Sequence, residues 1–347
     1  MRYQTERNIV ATIDDVAKAA GVSTSTVSYV LSGKRPISAP TRARVERAID
    51  KLGYRPHAGA RALASARTNV IALMAPLRVG VNVPVIMQFV AGVVTRARDF
   101  DHDVLLLTQD DVSGLDRVTG GSMVDALVMM DIEADDPRVP LVAAAKQPTV
   151  LIGLPQDPEG LSCVDLDFEA AGRLAVRHLA RTGHTDVALI GSPPEVLQRH
   201  TSYAERLMRG LRSQATSSGL TARVEACDSS PSGASAAVDT LLATAPDTTG
   251  IIVHNEAALP HVLSRLAERG IVVGADMSVI AVCPTDVALS QRIPMTSIDL
   301  PAEDIGKVAV DMVMARLEGD HPSETRLLSP VLTERESSAY GPAGALD

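Results

Sequence analysis

Along residues 12–54, TIDDVAKAAGVSTSTVSYVLSGKRPISAPTRARVERAIDKLGY, apolar positions recur with the period of a helix in three short bursts. Ile13, Val16, Ala17 and Ala20 fall at i, i+3, i+4 and i+7, one face of a first helix. Thr12, three residues before Asp15, has a spacing related to the capping box. Gly21 is placed to end that helix, since glycine accepts the left-handed backbone of a tight turn. Ser23 is then expected to cap a second helix with Val27, Val30 and Leu31 inward. A third helix after Ser38 and Pro40 turns Val45, Ala48, Ile49 and Leu52 inward and shows Arg42, Arg44, Arg47 and Lys51.

From residue 69 the pattern changes. Short apolar runs, VIALMAPL (70–77), DVLLL (103–107), ALVMM (126–130), PTVLIGL (148–154), DVALIG (186–191), GIIVH (250–254) and SVIAVC (278–283), alternate with helical stretches. The helical stretches include VIMQFVAGVVTRARDF, AAGRLAVRHLARTG and LPHVLSRLAERG, the last two ending in glycine. Continuous apolar strands alternating with helices predict parallel sheets covered on both faces. The chain has 347 residues, so the part beyond the helical headpiece is too long for one simple core and fits two doubly wound lobes.

Charge changes the picture at the amino-terminal end. Residues 1–68 carry a formal +7 and the remainder −16, within a total of −9. A basic module on an acidic body is the footprint of a protein that meets a polyanion. The outward positions of the second helix, Thr24, Ser25, Thr26, Ser28 and Tyr29, are hydroxyls with no acid among them. Such a face approaches phosphates and base edges without like-charge repulsion.

Other chemistry is sparse. Cys163, Cys227 and Cys283 lie far apart with no CxxC or Cys/His cluster, which predicts neither a zinc site nor a disulfide framework. The polar opening MRYQTERNIV is not a signal peptide, and no apolar run approaches the length of a membrane span. A cytoplasmic protein is therefore expected. Asp165 and Asp167 share a face of an extended segment, but no nucleophile or metal cluster accompanies them. The glycine-containing stretches 153–160 and 228–235 hold neither a P-loop lysine nor a GxGxxG, and they read as loops. No enzyme activity and no cofactor are expected.

The run TIDDVAKAAGVSTSTVSYVLSGKRPISAPTRARVERAIDKLGYRP, followed by ARALA at 60–64, closely resembles the headpiece of the LacI/GalR family of bacterial transcription regulators. The resemblance continues, more weakly, to about residue 336. It implies that Ser23, Thr26 and Ser28 touch phosphates and that Thr24 and Ser25 read bases. Tyr29 stands where many members have a guanine-reading arginine, and its phenol lacks the bidentate fork, so base preference there should be weaker or different. After Tyr54-Arg55-Pro56 the family has a hinge helix that orders on DNA. Leu63 falls where a leucine wedges into a central base step, with Ala60 and Arg61 beside it. His57 replaces a common asparagine.

The resemblance also implies a periplasmic-binding-protein-like effector domain. The fold expected is thus an all-α helix-turn-helix headpiece followed by an α/β two-lobed domain of doubly wound parallel sheets. Its domains would be a tail (1–11), the headpiece (12–56), hinge and linker (57–68), the effector and dimerisation domain (69–336) and a second tail (337–347). Lobe one would comprise 69–161 with 292–320, and lobe two 162–291 with 321–336. Ligands in such sheets lie beyond the carboxyl ends of strands. Asn255, after GIIVH, matches the asparagine that binds effector in the family, and is equally placed as a helix N-cap. Arg206 lies near the family's effector-binding arginine. That residue stands three before a glycine, whereas here Leu207 stands three before Gly210 and Arg206 four, so either the register shifts or Leu207 has replaced it.

Cys283 stands where sugar-binding members carry an aspartate, with Asp286 the nearest acid. A neutral thiol cannot accept from two sugar hydroxyls. Val83-Pro84-Val85-Ile86 replaces an aromatic cleft loop, and the chain holds only 3 Phe, 5 Tyr and no Trp. An ordinary monosaccharide pocket is therefore in question. Asp131, after ALVMM, either supplies an acid from the other lobe or is a surface carboxylate. The reading is a homodimeric repressor binding a pseudo-palindromic double-stranded operator and responding to a small effector, a sugar or another polar metabolite. The carboxyl terminus ESSAYGPAGALD carries no leucine heptad for tetramerisation. A solute-binding protein or an α/β enzyme are the competing classes; the first lacks an export signal here and the second a catalytic constellation.

Overall fold

The structure, a computed structural model, describes residues 11–32, 35–54, 67–108, 112–121, 123–319 and 321–338. Two compact units divide the chain near Asn69. In the headpiece, α1 (Ile13–Ala20), α2 (Thr24–Ser32) and α3 (Ala39–Leu52) enclose a small core of Val16, Ala17, Ala20, Val27, Val30, Val45, Ala48 and Tyr54. The capping box forms: the Asp15 N–H donates to Thr12 Oγ1 at 3.3 Å, and the Thr12 N–H donates to Asp15 Oδ2 at 3.0 Å. Gly21 takes φ 64° and closes α1, while the Thr26 N–H reaches Ser23 Oγ at 3.2 Å.

Two expected core residues face outward. Leu31 is 39 % and Leu52 37 % exposed. Each sits in the last turn of its helix, and Tyr54, just past α3, is buried in the headpiece core.

The larger unit holds two six-stranded sheets. The first has β1 (Val70–Met74), β2 (Asp103–Leu107), β3 (Ala126–Met129), β4 (Thr149–Ile152), β5 (Ser162–Leu166) and β11 (Thr325–Leu328), all parallel in the order β11-β5-β4-β3-β1-β2. The second has β6 (Asp186–Ile190), β7 (Thr221–Glu225), β8 (Gly250–Val253), β9 (Ser278–Cys283), β10 (Thr296–Asp299) and β12 (Leu332–Thr333) in the order β12-β10-β9-β8-β6-β7. Only β12 runs antiparallel in it. Every one of the seven apolar runs becomes a strand.

The crossovers differ from the expected lobe boundaries. Ser162–Leu166 and Thr325–Leu328, assigned to lobe two, pair into the first sheet, and Thr296–Asp299, assigned to lobe one, pairs into the second. The chain passes between lobes after a strand rather than before it, because each crossing strand first completes the sheet it leaves. The expected tail from 337 is also displaced. Ser337 is fully buried, its Oγ accepts from the Thr296 N–H at 2.8 Å, and its carbonyl accepts from the Val279 N–H at 2.7 Å.

One helix pair locks each lobe beside its crossover. In the first, α4 (Val83–Asp99) crosses α13 (Ala302–Glu318) at Gly92 and Gly306; in the second, α7 (Phe168–Arg181) crosses α9 (Ser202–Ser218) at Gly172 and Gly210. A Cβ at Gly210 would run into the Glu169 carbonyl, and one at Gly306 into the Phe89 carbonyl. The helices touch backbone to backbone there.

Candidate functional site

In the headpiece, Ser23, Thr24 and Ser25 are exposed and Thr26, Ser28 and Tyr29 half-buried. Ser23 Oγ lies 2.8 Å from Ser25 Oγ and 2.9 Å from Thr26 Oγ1, so these hydroxyls form one polar cluster at the start of α2. The Arg35 guanidinium rests over the Tyr29 ring, 5.4 Å from its centre, placing a cation beside the phenol. The first turn of α2 contains no acid. His57, Ala60 and Leu63 lie outside the described residues.

The second site is a cavity between the lobes with about 840 Å3 of empty space, counting its open mouth. It lies at the carboxyl ends of strands from both sheets, where the pleat stops and loops supply side chains. The first lobe contributes Asp131 and Ile132 after β3, Gly153 after β4 and Asp165 at the end of β5; the second contributes Ser192, Tyr203 and Asn255. The walls are mainly apolar, with Val85, Ile86, Phe89 and Leu300 among them.

Asn255 reaches the cavity, but its amide is engaged. Its Oδ1 accepts from the Ala258 N–H at 3.2 Å and from Ser229 Oγ at 3.2 Å, and its Nδ2 donates to the Cys227 carbonyl at 2.7 Å. The cap and the lining position therefore coexist in one residue. Asp131 also lines the cavity, at φ 55°, unusual for a residue with a Cβ. Its Oδ2 lies 3.1 Å from Arg78 Nη1 and 3.6 Å from Arg199 Nη2. Behind it the buried Arg138 donates to the Asp131 carbonyl at 2.7 Å and pairs with Asp136 at 2.6 Å, bracing the turn. Asp131 is thus no free surface carboxylate.

Arg206 is buried and pairs with Asp165, which faces the cavity; its guanidinium also lies 5.5 Å from the Phe168 ring centre. Arg206 itself stands one layer behind the wall, while Leu207 is fully buried in the core. Burial pushes the Asp165 carboxyl up to about 6, with Arg206 acting against it. Asp167, its neighbour on the extended segment, instead caps α7, accepting from the Ala170 N–H at 2.9 Å.

Cys283 does not belong to the site. It is fully buried in the core of the second lobe, and burial raises its thiol well above the usual range. SVIAVC is strand to its last residue, so Cys283 remains in the pleat, paired opposite Asp299, rather than in the loop beyond it. Asp286 lies further along and accepts from Gln88 Nε2 at 3.1 Å, joining α12 (Thr285–Leu289) to α4.

Sequence reasoning missed the aromatic wall. Phe168, Tyr203 and His254 sit 5.4–5.6 Å apart, centre to centre, and line the cavity together with Phe89. The chain is poor in aromatics, yet the fold gathers several of them here. The available signal was position: Phe168 follows β5 and His254 follows β8, both at strand ends. Burial lowers His254 to about 4, so its ring is neutral at physiological pH.

The lobes touch beside the cavity. Glu133 and Thr201 form an antiparallel bridge, flanked by the Ala134 N–H donating to the His200 carbonyl at 2.9 Å and the Ser202 N–H donating to the Ile132 carbonyl at 3.1 Å. Arg78 Nη1 donates to Glu133 Oε1 at 2.6 Å, and Arg199 Nε, from the other lobe, lies 3.7 Å from the same oxygen.

Residues 12–57 match the family described as bacterial regulatory proteins, lacI family, and residues 176–338 match the periplasmic binding protein-like domain. The HTH-type transcriptional regulator CelR of Thermobifida fusca is 30 % identical over 96 % of this chain and 99 % of its own. The chain belongs to the LacI family. As a LacI-family member it is a DNA-binding transcriptional regulator. Catabolite control protein A of Priestia megaterium is 28 % identical, covering 87 % of this chain and 91 % of its own. Among solved structures, a CelR–cellobiose complex superimposes with a TM-score of 0.66 at 28 % identity, covering 94 % of this chain and 99 % of that one. The Lac repressor dimer bound to operator and an anti-inducer shares the LacI-family fold, with a TM-score of 0.82 at 24 % identity over 95 % of this chain and 99 % of that one. Among the described residues no helix is long and apolar enough to cross a membrane, and no group of three or more His, Cys, Asp or Glu is arranged to hold a metal.

Proposed function

We propose that the protein is a homodimeric repressor acting in the bacterial cytoplasm, on the nucleoid, through a pseudo-palindromic operator, and that a small polar ligand in the inter-lobe cavity sets its DNA affinity. The observation that carries this reading is the cavity itself: both sheets aim their strand ends into it, and the lobes meet across ion pairs beside it. A ligand that favours one lobe arrangement shifts its population, and with it operator affinity, by its differential binding to the two arrangements. On DNA, Ser23, Thr26 and Ser28 would hold phosphates while Thr24, Ser25 and Tyr29 face bases. Hinge residues His57, Ala60 and Leu63 would enter the minor groove, Leu63 as the wedge. Asn255 and Asp131 would face the ligand, with Arg206 supporting through Asp165. The CelR relative was solved with cellobiose, which supports a ligand of saccharide size. The reading assigns no chemical step and no cofactor.

The test is selection of binding sites from a random duplex pool by the full chain at near-physiological salt, where nonspecific affinity is suppressed. A pseudo-palindrome with a deformable central step is expected. Selected sites with no dyad symmetry would overturn the dimer, and an operator affinity that no small metabolite changes would overturn the ligand control.

A further inference from the structure

Three carboxylates line the cavity: Asp131, Asp165 and Glu256. Two are balanced by arginines standing behind the wall, Asp131 by Arg78 and Arg199 and Asp165 by Arg206. Glu256 differs. Among the described residues no cation lies within ion-pair distance of it, and its neighbours in the wall, Tyr203 and His254, are neutral at physiological pH. Among the described residues no lysine or arginine lines the cavity directly. Removal from water without a counter-ion penalises an ionised carboxylate, and a ligand that brings the counter-ion relieves that penalty.

The walls point to the same chemistry. Phe89, Phe168 and Tyr203 present aromatic surface, and π-faces attract cations. Phe168 already holds one guanidinium, that of Arg206. The Asn255 amide is bonded to Ser229, Ala258 and Cys227, and Ser202 Oγ donates to the Leu154 carbonyl, so carboxylates are the charged groups that the wall offers a ligand.

We infer that the ligand of this cavity is an organic cation, a protonated amine on a compact apolar body, and that Glu256 is the residue that receives its charge. The inference rests on the ligand-control reading above and names the class of ligand. Glu256, first after Asn255 beyond β8, lines the cavity together with Phe89, Phe168 and Tyr203, and the apolar remainder of the wall suits the apolar body. Burial, which pushes the Glu256 carboxyl up to about 7, is in keeping with a site lacking its counter-ion.

The experiment uses matched probe pairs on the full-length protein: benzylamine with benzyl alcohol, cyclohexylamine with cyclohexanol, and glucosamine with glucose. Binding is followed calorimetrically, and operator affinity is measured with each probe present. The expected result is that at least one amine binds ten-fold or more tightly than its hydroxyl partner, and that Glu256→Gln abolishes the difference. The unfolding temperature of the variant, taken alongside, separates a lost site from a lost fold, and the paired comparison on wild type does not depend on the variant. Hydroxyl partners binding as well as the amines, or no amine binding at all, overturns the inference. If a neutral probe binds and changes operator affinity, ligand control stands and only the cation is lost. If no probe binds, the cation is lost, and ligand control stands or falls separately on whether any small metabolite changes operator affinity.

Discussion

A buried ion pair behind the cavity wall shows how much depends on single side chains. Asp165 and Arg206 are both largely removed from water, so deleting one partner strands the other charge. Arg206→Met is expected to destabilise the protein by about 3–5 kcal/mol in urea unfolding. The double variant Asp165→Leu/Arg206→Met should recover most of that loss; a double variant as unstable as the single would show that the pair is net stabilising. The cavity residues also set opposed pH dependences. His254 is lowered from 6.5 to about 4, so the unfolded chain binds the proton first and stability falls as pH drops through that window. Glu256 is raised from 4.5 to about 7, so the folded chain holds the proton and stability falls as pH rises through its own window. Between about 4.5 and 6.5 the two slopes oppose. Glu256→Gln should therefore steepen the rise of the unfolding midpoint from about pH 5 to about 6.5, and an unchanged slope would show that Glu256 titrates normally. None of these pairings is visible in sequence. Asp165 and Arg206 lie 41 positions apart, and only packing of α9 on α7 brings them together.

At the scale of elements, local pattern carried far. Seven apolar runs are strands, three helices form in the headpiece, and caps at Thr12, Ser23 and Gly21 form as their chemistry dictates. The exceptions sit at element ends. Leu31, Leu52 and Cys283 each occupy a last turn or last strand residue, where periodicity no longer states what lies opposite. Helix crossings add constraints that periodicity does not contain. Gly210→Ala places a methyl against the Glu169 carbonyl and should cost about 1–3 kcal/mol, the range for overpacking, in denaturant unfolding. A neutral outcome would mean that α7 and α9 slide apart freely. On the recognition helix, Tyr29→Arg exchanges one phenol for a bidentate fork. Site selection should then show a changed base, guanine preferred, at one position of each half-site; an unchanged preference would place Tyr29 against phosphate or solvent.

The large unit adds a third level, in which two lobes are held against each other. Arg199 reaches Asp131 and Glu133 from the opposite lobe, and the bridge of Glu133 to Thr201 runs beside it. Asp131 and His200, both at positive φ, flank this junction, and such strain persists where surrounding structure enforces it. Arg199→Met should weaken closure and shift ligand-dependent change of operator affinity to higher ligand concentration, by roughly fivefold or more, the lower end of allosteric coupling. A titration that superimposes on wild type would show that the bridge, and not the ion pairs, joins the lobes.

Sequence alone determined the headpiece, its basic charge and hydroxyl face, and the alternation of strand and helix, because these rest on periodicity, caps and composition within a few residues of one another. Tertiary structure decided which sheet each crossing strand joins, that Cys283 lies in a core, and that Phe168, Tyr203 and His254 meet. It also decided which of the three cavity carboxylates have arginine partners among the described residues and which does not. Those outcomes depend on pairing between residues tens to hundreds of positions apart, fixed only when whole sheets and helices pack, so no local pattern in the chain could state them.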